Sequence, residues 1–206
     1  MIDGKNEVWI GTIDGVSKFD GKEFSSFEIP KGKINPNLGV SSKEIVHHIM
    51  EDRRGRIWFS TNGGVYIKEG NLLTNLSEKD GLKSSFVNRV LEDKEGNYWI
   101  CTSDGLYHYK EDILTNMTKD IILNGKGIGS LIQDFEGNIW FNSNLRDIFV
   151  FDGENFTKVR KNEEDYGLTP FQIYEDKQNR LWFVGYGGAY RYENNQFINI
   201  TRDGPW

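Results

Sequence analysis

The sequence predicts an all-β fold, and three observations lead to it. Short runs of β-branched and aromatic residues, such as 8–10 and 57–59, stand between clusters of Gly, Asp and Asn, a composition typical of strands and turns. No long segment with the 3.6-residue period of a helix interrupts them. Tryptophan recurs at intervals of 49, 41, 41 and 42 residues, which indicates a repeated supersecondary unit. The five tryptophans are Trp9, Trp58, Trp99, Trp140 and Trp182.

Each repeat contains the same turn signal. An Asp lies six residues before each tryptophan, and a Gly or Asn lies three residues after that Asp. Because Gly and Asn tolerate a left-handed backbone best, this segment predicts a tight hairpin turn closed by the Asp side chain. An apolar strand precedes the turn, the tryptophan strand follows it, and two short strands complete the unit. The turn pairs are Asp3 with Asn6, Asp52 with Gly55, Asp93 with Gly96, Asp134 with Gly137, and Asp176 with Asn179.

Four short antiparallel strands per repeat form a sheet that is marginal alone, because both faces are exposed. Radial stacking buries those faces between neighbouring sheets, which is the β-propeller arrangement. We therefore predict a β-propeller of four-stranded antiparallel blades, one domain over residues 1–206, with the tryptophans buried between blades. The blades are expected at about 7–28, 45–76, 86–118, 127–160 and 169–201.

The first blade is incomplete in the sequence. It begins at residues 2–3 and lacks the innermost apolar strand that precedes the turn in the other repeats. Two explanations stay open: the chain is cut from a longer parent with more blades, or five blades close with an imperfect seam. The first is favoured, because an open seam leaves unpaired strand edges.

Composition argues against several classes of function. The formal net charge is -6 without a dense Lys/Arg block, so we expect no nucleic-acid partner. The single cysteine, Cys101, excludes an intramolecular disulfide and is expected as a small residue in a packed strand. No apolar stretch approaches the roughly 20 residues of a membrane span, and residues 1–4 do not begin a signal peptide.

Catalytic, metal and cofactor sites are not indicated. The repeated Asp residues are turn formers, and no Ser/His/Asp or Cys/His arrangement can be assigned. Histidine occurs only at His47, His48 and His108. Because neighbours on a strand point to opposite faces, His47 and His48 are not expected to chelate one metal ion.

The repeat resembles that of the two-component regulator propeller family. The shared frame is V-x-x-I-x-E-D-x-x-G-x-I-W-F-x-T-x-x-G-L-x-x-Y, best matched by 87–93, Trp99, Thr102, 105–106 and Tyr109. In that family the blades form the extracytoplasmic sensor of hybrid histidine kinases, often with carbohydrate-derived ligands. The resemblance implies a sensor or scaffold in a periplasmic or extracellular location.

The leading functional hypothesis is therefore a binding or sensing module without catalysis, whose ligand is a small molecule or an oligosaccharide. The first alternative is a lyase or glycan-active enzyme, because streptogramin-inactivating lyases are also propellers with Gly-x-x-Trp-Phe repeats. The second alternative is a protein-interaction scaffold.

Departures from the repeat predict where the ligand binds. The turn between the second and third strands of the fourth repeat has an extra residue and no Gly, and it carries Asn144, Arg146 and Asp147. In the fifth repeat Tyr186 stands between glycines that would let a ligand approach. In a propeller these turns share one face with the loops between blades, which are long at 28–44, 119–127 and 161–169. We expect the ligand on this face, although loop drift explains the same variation.

Polar residues on the first strands give a second set of candidates. Four residues before the turn Asp, at positions otherwise surrounded by apolar residues, come His48, Arg89, Ser130 and Gln172. These positions are expected to line the central channel, and His48, Arg89 and Gln172 join the predicted ligand site. A solvated channel without a specific ligand is the alternative.

Overall fold

The chain folds into antiparallel sheets, each running in chain order from its first strand to its last. It divides into two compact units, Met1–Gly125 and Lys126–Trp206. The first unit contains three of the sheets and the second contains two. This confirms the predicted all-β fold of blade-like sheets. The computed structural model describes residues 1–34, 37, 42–119, 127–144, 146–159 and 168–203.

The first unit opens with a three-stranded sheet, followed by two four-stranded sheets. A short 3-10 turn, Glu78–Asp80, connects the second sheet to the third. The strands are β1 (Val8–Thr12), β2 (Gly15–Phe19), β3 (Phe24–Phe27), β4 (Val46–Glu51), β5 (Ile57–Thr61), β6 (Gly64–Glu69), β7 (Leu72–Leu76), β8 (Val87–Glu92), β9 (Tyr98–Thr102), β10 (Leu106–Lys110) and β11 (Ile113–Asn116).

The second unit contains two four-stranded sheets. A short helix, α1 (Ile200–Asp203), follows the last strand. The strands are β12 (Ile128–Gln133), β13 (Ile139–Ser143), β14 (Asp147–Phe151), β15 (Phe156–Lys158), β16 (Thr169–Glu175), β17 (Leu181–Tyr186), β18 (Gly188–Glu193) and β19 (Gln196–Asn199).

The first sheet lacks its innermost strand, as the sequence predicts. Residues 1 and 2 lie at the edge where the other sheets have that strand. Ile2 forms a single antiparallel bridge to Val8, and the backbone N–H of Trp9 donates to the carbonyl of Met1 at 2.8 Å. A short stub of chain therefore replaces a full ladder at this edge.

The turn that opens each tryptophan strand has the predicted geometry. In the second sheet, Asp52 Oδ1 accepts hydrogen bonds from the backbone N–H groups of Arg54 and Arg56 at 3.0 and 2.9 Å. Gly55 lies between them with a φ of 75°, and its N–H donates to the Asp52 carbonyl. The corresponding residues of the other turns also have positive φ, and they are Asn6, Gly96, Gly137 and Asn179.

The second carboxylate oxygen of the same Asp binds the tryptophan. In all five turns Oδ2 accepts the indole N–H of the Trp six residues later, at 2.7 to 3.0 Å. A buried indole N–H needs such a partner. The carboxylate therefore closes the turn and also fixes the tryptophan ring.

The tryptophans pack between successive sheets within each unit. Trp58 is fully buried and stacks on Tyr98 of the following sheet, with ring centroids 4.1 Å apart. The Tyr98 hydroxyl donates to Asp52 Oδ2 at 3.0 Å, so the turn carboxylate also reaches the next sheet. In the second unit, Trp140 packs edge-on against Phe183 of the following sheet. The predicted burial is confirmed for Trp9, Trp58, Trp99 and Trp140, whereas Trp182 is only partly buried.

A glutamate or glutamine precedes the turn Asp in every complete sheet, and the glutamates link sheets. Glu51 accepts a hydrogen bond from the backbone N–H of Gly4 in the preceding turn at 2.7 Å. Glu92 binds the N–H of Arg53 at 2.8 Å in the same way, and in the second unit Glu175 binds that of Phe135 at 2.9 Å. Each of these glutamates therefore holds the turn of the sheet before it.

Removal of a tryptophan between sheets should destabilise the protein strongly. We expect Trp58→Ala to cost about 3–5 kcal/mol of unfolding free energy, because it leaves a large cavity against Tyr98. Trp182 is only partly buried, so Trp182→Ala is the matched control and should cost clearly less. Urea denaturation followed by circular dichroism measures both, and equal losses would contradict the assigned packing.

Acid destabilisation should depend on Asp52. Burial by itself raises the pKa of Asp52, but hydrogen bonds from Trp58, Arg56 and Tyr98 outweigh it and hold the pKa below its ordinary value. The folded state therefore takes up this proton less readily than the unfolded state. The resulting stabilisation is present above about pH 4 and is lost as the pH falls through the folded pKa.

We expect Asp52→Asn to flatten the fall in unfolding free energy between about pH 4 and pH 2. Urea denaturation at a series of pH values measures this slope. A variant profile that runs parallel to the wild-type profile would show that Asp52 does not contribute to acid unfolding.

Candidate functional site

The predicted ligand residues fall in both units. The first unit holds an inner-strand site, which we define as His47, His48 and Arg89. The second unit holds a turn surface, which we define as Asn144, Arg146, Asp147 and Tyr186. Gln172 lies on the first strand of the last sheet, where its side chain is exposed.

A β-bulge interrupts the first strand of every four-stranded sheet. In β4 the register shifts between Val46 and His48, and in β8 it shifts between Val87 and Arg89. Corresponding shifts occur in β12 and β16. A bulge inserts a residue, breaks the strict alternation of side chains and re-aims those beside it. The candidate residues His48 and Arg89 directly follow the inserted residue.

The two adjacent histidines lie at the bulge of β4. His47 and His48 line one cleft with Met1, Trp9 and Gly11. The bulge interrupts the strict alternation of side chains at His47, and the expectation that the two histidines do not chelate one metal ion stays a prediction. The His47 ring lies 4.6 Å from that of Phe86. Within the described ranges, no group of three or more His, Cys, Asp or Glu residues could hold a metal ion.

Both histidines have buried nitrogen atoms without a partner. His47 Nε2 and His48 Nδ1 make no hydrogen bond to any described residue. Burial lowers the pKa of His47. Burial, the positive charge of Arg89 and the terminal amino group lower the pKa of His48 to about 4. His48 is therefore neutral at neutral pH, and its unpartnered nitrogen either donates or accepts a hydrogen bond.

Arg89 has no partner among the residues that the structure describes. It is half-buried, and burial lowers its pKa. Its cross-strand neighbour is Cys101, whose thiol is fully buried and has a pKa raised by burial far above the usual range. The thiol therefore stays neutral and cannot balance the charge of Arg89. Cys101 lies in the packed strand β9, as expected.

Two arginines at the turn that precedes a tryptophan strand are paired, unlike Arg89. Arg56 donates from Nε to Asp52 Oδ2 at 2.7 Å and from Nη2 to the Tyr98 hydroxyl at 2.7 Å. Arg180 donates to Asp176 at 2.7 Å in the last sheet.

The turn surface carries charged and polar side chains. Asn144 and Arg146 are exposed, and Asp147 forms an ion pair with Lys158 at 2.8 Å. Asn144 has a φ of 49°, so the left-handed residue that Gly supplies in other turns is an Asn here. Leu145 and much of the long loops, namely residues 35, 36, 38–41, 120–126 and 160–167, lie outside the described residues.

Tyr186 belongs to an exposed aromatic pair. Its side chain is 68% exposed, and that of Phe171 is 56% exposed. The two rings meet edge-on with centroids 4.6 Å apart. Phe171 is the residue inserted by the bulge in β16, a placement that the sequence pattern does not reveal.

Gly185 has a structural role. A Cβ at this position would lie 2.8 Å from Pro170 Cα, so the glycine permits close approach of β16 and β17. Close packing of these strands therefore accounts for a glycine here, and its role in ligand approach stays a prediction. Asn142 Nδ2 donates to the Pro170 carbonyl at 3.0 Å, which places the turn of the fourth sheet beside the start of β16.

Ser130 serves packing between sheets of the second unit. Its side chain is buried, and its Oγ accepts the backbone N–H of Ile173 at 2.9 Å. It occupies the same repeat position as His48 and Arg89. A residue at this position can therefore also form a structural hydrogen bond between sheets.

Solved structures with the same fold include extracellular domains of putative two component and one component systems, and a lyase. The chain is similar to the extracellular domain of the putative hybrid two component system BT3049 from B. thetaiotaomicron, with 22% identity, a TM-score of 0.70, and coverage of 93% of this chain and 25% of that one. It is also similar to the extracellular domain of the putative one component system BT4673 from the same organism, with 19% identity, a TM-score of 0.73, and coverage of 97% and 28%. This chain thus spans about a quarter of the length of those two proteins.

A third similar structure is a catalytically inactive virginiamycin B lyase from Staphylococcus aureus with quinupristin. It is 17% identical, with a TM-score of 0.74 and coverage of 99% of this chain and 70% of the lyase. Comparison with curated proteins gives no significant match. No helix in the described parts of the chain is long and apolar enough to cross a membrane.

Two segments match the model of the two component regulator propeller family, residues 39–63 and 81–104. In the second and third sheets they cover the bulged first strand, the Asp turn and the tryptophan strand. The repeat pattern, the blade-like sheets and this match agree that these two segments are similar to two component regulator propeller repeats.

Proposed function

We propose that this chain is a ligand-binding module of the sensor type and that it has no catalytic activity of its own. The observation that carries the proposal is the inner-strand site, where a half-buried arginine and two buried imidazole nitrogens lack partners among the described residues. Buried polar groups are normally hydrogen-bonded, so a cluster of unpaired ones calls for a missing partner such as a ligand. The similar sensor domains support the same function.

The Asp residue of each repeated turn has a structural role in this proposal. Each turn Asp binds an indole N–H and backbone N–H groups. The pKa of Asp3 and the pKa of Asp52 lie below the ordinary value, because these hydrogen bonds outweigh the opposing effect of burial. Such groups are poor general acids near neutral pH. The five repeated carboxylates therefore support a scaffold rather than an enzyme.

The family resemblance also suggests a setting. We propose that the five sheets form one propeller domain over residues 1–206, within a longer parent, in the periplasm or outside the cell. Support comes from the extracellular domains to which the chain is similar, of which it covers only a quarter. The ligand would be a small molecule or an oligosaccharide that contacts His48, Arg89, Gln172 or the turn surface.

A second candidate function is docking of a protein partner on the turn surface. The specific observation in its favour is the exposed Phe171–Tyr186 pair, in the same unit as the exposed Arg146. Exposed Tyr and Arg side chains are typical of energetically important contacts in protein interfaces.

Ligand binding can be tested with a defined panel. Neutral and acidic mono- and disaccharides and small carboxylates would be screened against the whole chain by saturation-transfer NMR. We expect at least one binder and no chemical conversion of any member, as judged by mass spectrometry. Conversion of a compound by the protein would favour the enzyme alternative, and a panel without any binder would count against the proposal.

Two variants then identify whether the ligand binds at the inner-strand site or at the turn surface. Arg89→Gln should weaken a ligand held at the inner-strand site, whereas Arg146→Ala with Tyr186→Ala should weaken one held at the turn surface. Because Arg146 and Tyr186 are exposed, the double variant should keep its melting temperature within about 1 °C. A large drop in melting temperature would show that these side chains support the fold instead.

A further inference from the structure

The inner-strand site combines positive charge with polar groups that lack partners. His48 and Arg89 occupy the same repeat position on β4 and β8, and these two strands pack against each other. The two side chains therefore start from matching positions on neighbouring strands, and burial together with the positive charge of Arg89 lowers the pKa of His48. Opposite His48, across the hairpin, lies Ser60.

Several buried polar atoms near this site have no hydrogen-bond partner among the described residues. Ser60 Oγ, His48 Nδ1 and His47 Nε2 are all buried without a partner among the described residues. An unsatisfied buried polar group costs about 1–3 kcal/mol. Fully desolvated charges without a counter-ion cost more. A partner that brings acceptor atoms would relieve these costs together.

The charge of the missing partner follows from its surroundings. No carboxylate in the described ranges pairs with Arg89, and its cross-strand neighbour is the neutral Cys101 thiol. The protein as a whole has a formal net charge of -6. At Arg89, a guanidinium without a paired carboxylate therefore lies within a protein whose overall charge is negative. It offers five N–H donors in a planar fork that matches carboxylate and phosphate oxygens.

We propose that the inner-strand site binds the anionic group of a small ligand, with Arg89 as the charge partner and His48 and Ser60 as hydrogen-bonding neighbours. This inference rests on the proposed ligand-binding function and names the chemical class of the ligand at that site. The anion is a carboxylate or a phosphate, since both fit the guanidinium fork.

The test uses acetate, its neutral analogue acetamide and inorganic phosphate as probes on the whole chain. Imidazole signals of His47 and His48, followed by NMR during titration, report binding. We expect acetate or phosphate to shift these signals saturably, and acetamide to leave them unchanged at the same concentration. The tighter of the two anions identifies the ligand as a carboxylate or a phosphate. Binding should weaken as NaCl rises, because chloride screens and competes for the guanidinium.

Variants show whether Arg89 is responsible. Arg89→Gln should weaken anion binding by roughly tenfold or more. Arg54→Gln removes the same charge from an exposed position of the same unit and should leave the affinity unchanged. Arg89→Lys keeps the charge without the fork and should give an intermediate affinity, and it serves as the second variant if Arg89→Gln does not fold.

The outcomes separate this inference from the proposed function. Equal shifts with acetate and acetamide, or anion binding that survives Arg89→Gln, would overturn the anion site. If the ligand panel nevertheless yields a neutral binder that depends on His48, the ligand-binding function stands and only its anionic class is wrong. If neither the anions nor the panel bind, both fail.

Discussion

The repeated hydrogen bond between the turn Asp and the indole of the following Trp is the interaction on which the rest of the fold depends. One carboxylate closes a hairpin through backbone N–H groups and at the same time satisfies the only polar atom of a large buried ring. The turn thereby fixes the position of the ring that fills the space between two sheets. Local turn chemistry and packing between sheets are set by the same side chain, so each depends on the other.

The residue before the Asp extends this coupling to the preceding sheet. Glu92 binds the N–H of Arg53, while the neighbouring Asp93 binds Trp99 of its own sheet. The dipeptide therefore fixes one sheet internally and holds the turn of the sheet before it. Glu175 and Asp176 do the same in the second unit. Because these contacts use backbone N–H groups, they leave the side chain after the Asp free to vary among Gly4, Arg53 and Phe135.

The sequence was sufficient for the fold because the turn and strand signals are local and repeated. Because the Asp turn and the tryptophan occur five times, they predicted the positions of the strands and the incomplete first sheet. The bulge in the first strands could not be predicted, since its inserted residues, such as His47 and Phe171, share no residue type and no local signal. A shift of one residue reverses which side chains share a surface. The alternation assumed for His47 and His48 is therefore interrupted at the bulge. For the candidate site, residue type identified His48 and Arg89, but only the structure shows that they lack partners.

The bulge also explains how a repeated scaffold can carry a specific site. The Asp turn and the tryptophan, which hold each sheet in place, lie a few residues after the bulge. The bulged position therefore contributes little to that framework. In the second unit the position is filled by Ser130, whose hydroxyl binds the next sheet. In the first unit the same position carries His48 and Arg89, which gain no comparable bond. A side chain kept half-buried without a partner weakens the fold, and the framework provides the stability that tolerates it. Within the described chain, the proposed binding site therefore lies where this repeat position is left without a hydrogen-bond partner.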